Sequence, residues 1–130
     1  MSQYDGPPIR RVYEPSGDEI RAWAYSGAKW PEQDWDIFMA EPENLEALVQ
    51  LVGDSACPSR RDLLGSLYCT IGHSDHSDSR IAAAIEIAGQ SNDPWLFTWA
   101  RRSKRVIDHP DEFDRDDWCG WDSMASKPVD

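Results

Sequence analysis

The sequence has few cysteines, few basic residues and no long apolar run. Cys57, Cys69 and Cys119 are its three cysteines in 130 residues. An odd number without regular spacing argues against a disulfide framework, and Cys57 and Cys69 are expected as small core residues in a reducing compartment. No apolar stretch approaches the roughly 20 residues that a membrane-spanning helix needs. The opening Met1-Ser-Gln-Tyr-Asp-Gly-Pro-Pro lacks the apolar centre of a signal peptide, so a cytoplasmic location is expected. Thirteen Lys and Arg stand against 24 Asp and Glu, a formal net charge of −11. That charge repels phosphate backbones and anionic headgroups, so neither nucleic acid nor membrane is an expected partner. A cationic partner would instead be steered toward the chain. The sequence also lacks a Gly-x-Ser-x-Gly elbow, a phosphate loop, a dinucleotide fingerprint and a His-Glu-x-x-His pair. No cofactor and no enzymatic activity are therefore expected. Alternation of period two, the mark of a strand, is missing as well.

What is present is helical. Hydrophobic residues make up 40% of the chain, including seven tryptophans, enough for a core without metal or disulfide. Ser16-Gly-Asp-Glu19 forms a capping box, followed by the stripe Ile20, Trp23, Ala24. Pro31 suits the first turn of a second helix bearing Trp35, Phe38 and Met39. Asn44 is placed to cap a third, where Leu45, Leu48, Val49 and Val52 fall at i, i+3, i+4 and i+7. Pro58 opens a fourth with Leu63, Leu64, Leu67, Tyr68 and Ile71, ending at Gly72 in the left-handed conformation. Ser77 or Asp78 caps a fifth that buries Ile81, Ala84, Ile85 and Ala88. Asp93-Pro94 starts a sixth with a wide face including Trp95 and Trp99, and His109-Pro110 stops it. The expected fold is all-α: about six helices in antiparallel pairs within one domain. Residues 1–15, with Pro7, Pro8 and Pro15, form an extended arm. Residues 16–122 form the helical domain, which one further acidic turn over 111–122 can complete. Residues 123–130 form a disordered tail.

Three groups of residues invite a chemical reading. His73, Asp75 and His76, with Asp78, combine imidazole and carboxylate in one loop and are weak candidates for a divalent metal site. The competing role is that of a solvated turn with Asp78 as a cap. Arg101, Arg102, Lys104 and Arg105 reverse the charge locally, as a helix C-terminal half favours. From Asp108 to Asp130, eight acids against two bases leave −6 of the −11. There Asp111, Glu112, Asp114, Asp116 and Asp117 alternate with Phe113, Trp118 and Trp121. Exposed indoles among carboxylates make an anchor for a basic protein. In the alternative arrangement, Phe113 and Trp118 dock the segment on the core. Glu32, Asp34 and Asp36, beside Trp30 and Trp35, form a second acidic patch. Cys119 is expected to be unreactive, because neighbouring carboxylates raise a thiol's pKa.

Asp18-Glu-Ile-Arg-Ala-Trp-Ala-Tyr and Gln33-Asp-Trp-Asp-Ile-Phe-Met-Ala resemble segments of a group of small uncharacterised bacterial helical proteins. In overall character (short, acidic, helical, without catalytic motifs) the chain is similar to the immunity proteins of bacterial toxin systems. That resemblance implies a protein that blocks a basic toxin by occluding its active cleft. The alternatives are a helical scaffold or interaction module, self-associating through Trp95 and Trp99, and a metal-dependent enzyme using the His73–Asp78 loop.

Overall fold

A computed structural model describes residues 4–119 and 123–129. Among them are seven α-helices and no strand, so the all-α class expected from periodicity holds. The helices are α1 (Gly17–Ser26), α2 (Trp35–Met39), α3 (Leu45–Val52), α4 (Arg60–His73), α5 (Ser79–Gly89), α6 (Pro94–Asp108) and α7 (Arg115–Trp118). No helix among the described residues is long and apolar enough to cross a membrane.

The start of α1 follows directly from its sequence. Ser16 Oγ accepts from the Glu19 amide at 3.2 Å, and Glu19 accepts from the Ser16 amide at 2.9 Å. Glu19 also takes the Arg10 amide at 2.6 Å, which ties the preceding segment to the helix. Gly27 closes α1 at φ 74°, a left-handed turn that costs glycine nothing. We expect Ser16→Ala to cost about 1 kcal/mol in a urea melt. The Ser16 amide, then the Arg10 amide, holds the Glu19 carboxyl below its ordinary pKa. Its stabilising contribution is therefore complete above about pH 4.3, the unfolded value, and is lost as pH falls through the folded one.

Helix α4 is the centre of the molecule. Residues 66–72 are buried without interruption, so this helix is covered on every side. Helices α2, α3, α6 and α7 pack against it, and α5 lies on α3 and α6. Its polar side chains are satisfied inside: Ser66 donates to Asp36 O at 2.8 Å, and Thr70 donates to Ser66 O at 2.9 Å. The core contains Ile20, Trp23, Trp35, Leu48, Leu63, Leu67, Ile81 and Trp99. Trp23 and Trp35 meet edge to face with centroids 5.5 Å apart. At the start of α6, Asp93 accepts from the amides of Trp95 (2.8 Å) and Leu96 (3.3 Å) and pairs with Arg60. Arg60 also donates to Val52 O at 2.6 Å and stacks on Trp95, 4.5 Å from the ring centroid.

Several local expectations are corrected. Helix α2 begins at Trp35, so Pro31 lies in the turn before it. Asn44 ends a short 3-10 turn and caps nothing. Its amide instead donates to Met39 O at 3.2 Å and Pro15 O at 3.4 Å, stitching three segments together. Gly72 is helical within α4, and Gly27 is the one described residue with positive φ. The stretch expected as a disordered tail departs from that reading over 123–129. Met124–Ser126 form a 3-10 turn, and Arg102 donates to Met124 O (3.1 Å) and Pro128 O (2.5 Å).

Candidate functional site

The acidic C-terminal segment divides into an anchored side and a wet side. Trp118 is 2% exposed and belongs to the core. Its ring lies 5.1 Å from Tyr68 and 6.1 Å from Phe113, and Phe113 meets the His76 ring at 5.1 Å. Trp118 as an exposed partner anchor is therefore overturned. Burying an indole yields several kcal/mol, more than the hydration of its neighbours opposes, because their carboxylates point outward. Asp111, Glu112, Asp114 and Asp116 are exposed and Asp117 is half-buried. Part of their charge is used internally. Glu112 pairs with Arg105 at 3.1 Å, Asp117 with Lys127 at 3.5 Å, and Asp114 caps α7. Trp121 lies outside the described residues.

The exposed indole beside carboxylates is found in the second patch. Trp30 is 36% exposed, Glu32 and Asp34 are exposed, and Ile37 projects from α2. Trp35, by contrast, is fully buried. Trp30, Asp36, Arg61 and Asp62 line one surface cavity of about 210 Å³, together with Ser123 and Ser126. Asp36 is half-buried, and burial raises its carboxyl pKa, helped by the negative charges of Asp34 and Asp62. A cation placed here would relieve that destabilisation.

The His73–Asp78 residues do not converge on a metal. Among the described residues no three His, Cys, Asp or Glu side chains are grouped to hold one. His73 remains in the last turn of α4, and its Nε2 meets Ala40 O at 3.0 Å. His76 Nε2 meets Ile71 O at 2.7 Å. Asp75 accepts from the amide and hydroxyl of Ser77, and Asp78 caps α5 while pairing with Arg80. Each candidate ligand thus holds backbone or a neighbour in place. The self-associating face built on Trp95 and Trp99 is also set aside, since Trp99 is fully buried and Trp95 lies under Arg60.

A thiol cluster emerges that the sequence reading did not assemble. Cys119 follows α7, and its Sγ lies 3.7 Å from Cys69 O on α4. A Cβ added to Gly72 would fall 2.3 Å from that sulfur, so only glycine leaves room for it. His73 stands beside it as well. The Cys119 pKa is lowered, first by the Cys69 thiol as donor and then by His73 and Arg115, and partial burial only partly opposes this. Cys69 is raised correspondingly, and His73 is raised mainly by Cys119. This reverses the expectation that carboxylates would raise Cys119. The groups that act on it are the Cys69 thiol, His73 and Arg115. The readable clue was Cys69-x-x-Gly72-His73, whose spacing puts a thiol, a gap and an imidazole on one helix face.

No protein-family model, no curated protein and no solved structure matches this chain.

Proposed function

We propose that this chain is a non-catalytic binding protein for a basic protein partner, held through the patch of Trp30, Glu32, Asp34, Asp36 and Asp62. The observation that carries the reading is an exposed indole sharing a cavity with a half-buried carboxylate. An aromatic anchor among like charges suits a cationic surface. The carboxylates at Asp111, Glu112, Asp114 and Asp116 extend the negative field and contribute to steering. In its sharpest form the partner is a toxin whose cationic cleft the patch occludes, as the likeness to immunity proteins implies.

Capture on immobilised protein tests this. The wild type should retain a basic protein, and retention should weaken as salt rises from about 0.05 to 0.5 M. The double variant Trp30→Ala/Asp36→Asn should bind about 5- to 30-fold more weakly, from roughly 1–2 kcal/mol of lost contact. Retention should also weaken as pH falls through the raised Asp36 titration, where the charge is lost. An acidic captured protein, or equal capture by the double variant, would sink the reading.

A second reading, a self-associating helical module, is favoured by the groove between α5 and α6. Ile85, Phe97 and Ile107 line it, and Phe97 is 46% exposed. A dimer in sedimentation that Phe97→Glu dissolves would support this module instead.

A further inference from the structure

We propose that Cys119 is a modification site for low-molecular-weight disulfides, and that Cys69 resolves the adduct into a covalent link between α4 and α7. This goes beyond the binding reading and does not depend on it. The geometry divides the two sulfurs by role. Cys119 is partly exposed, whereas Cys69 is 6% exposed and its thiol is the hydrogen-bond partner of Cys119. The Cys119 sulfur occupies the hollow that Gly72 leaves in α4 and, as a thiol, donates to Cys69 O at 3.7 Å. A side chain at residue 72 would expel it. The charged and titratable groups around the pair are His73 on α4, Arg115 on α7, Asp36 on α2 near Cys69, and Glu41 near His73. His73 and Arg115 favour the Cys119 thiolate, and the thiolate is the form that attacks a disulfide. The Cys119 sulfur first, then burial, and last Asp36 disfavour a charge on Cys69, which keeps that sulfur protonated.

The chemistry balances in two exchanges. The Cys119 thiolate attacks one sulfur of a disulfide RS–SR. The S–S bond breaks, a mixed disulfide forms, and RS⁻ leaves and takes up the proton Cys119 had released. The Cys69 sulfur then attacks the Cys119 sulfur and gives up its own proton. The bond to R breaks, and the second RS⁻ leaves as RSH. Two protein thiols are oxidised and one small disulfide is reduced to two thiols.

The test uses the full, reduced chain mixed with glutathione disulfide and followed by intact mass and peptide mapping without reductant. The wild type should pass through a Cys119 adduct and end with the loss of two hydrogens and a Cys69–Cys119 peptide pair. Cys69→Ser should stop at the adduct, and Cys119→Ser should form neither product. Cys57 serves as the internal comparator, and Cys119 should react at least about tenfold faster than this buried thiol. Circular dichroism confirms that both serine variants fold. An unmodified wild type, a wild type halted at the adduct, first modification at Cys57 or Cys69, or the cross-link mass in Cys119→Ser would each overturn the proposal.

Discussion

Replacing Trp118 with alanine should lower the unfolding free energy by about 3–5 kcal/mol, the range for deleting a large buried aromatic. The indole lies against Tyr68 and Phe113, and its Cβ abuts Gly72 on α4. The deletion therefore leaves a cavity beside a helix that is otherwise covered on all sides. In urea, with a slope of about 1–3 kcal/mol per molar for a domain of this size, the midpoint should fall by more than about 1 M. A change within about 0.5 kcal/mol, as for an ordinary surface substitution, would show that the segment does not close the core. Asp111→Asn, on the wet side of the same segment, should stay within that small range.

Asp93→Ala should cost about 2–4 kcal/mol. One carboxylate does two jobs: it caps α6 through two amides, and it pairs with an Arg60 that also holds Val52 O and stacks on Trp95. The cap contributes about 1 kcal/mol. The remainder comes from leaving the guanidinium without its partner in a site where the two side chains are only 20% and 15% exposed. Asp93→Asn keeps a capping oxygen and removes only the charge, so it should recover about 1 kcal/mol relative to alanine. Equal losses for the two variants in chemical denaturation would mean that the cap contributes nothing.

The helices were largely legible because their signals are local. Ser16 with Glu19, Asp78 and Asp93 are caps whose hydrogen bonds close within three residues, and each does what its spacing predicts. Errors arose where a distant segment decides. Asn44 has the right chemistry for a cap, but Met39 and Pro15 compete for its amide. Gly72 looked like a helix end because glycine often is one. Its actual requirement comes from a sulfur 47 positions further along the chain. For Trp118 the sequence left open an exposed anchor or a ring docked on the core, and the fold takes the second: the short helical turn places the ring and the carboxylates on different sides. The acidic patch at 32–36 was legible as charge. Only the fold shows that Trp35 is sealed while Trp30 remains accessible and shares its cavity with Asp62.

The contact between Tyr68 and Trp118 also orders events during translation. Fifty residues separate the sulfur-bearing positions that bring α4 and α7 together. At about 5–20 residues per second, α4 is synthesised roughly 3–10 s before its last covering segment. Through that interval the nascent chain carries an apolar helix whose α6 and α7 flanks are still to be covered. Ribosome-bound chains arrested before Asp114 should accordingly be degraded readily by added protease, and resistance should be acquired in a single step once Trp118 has emerged.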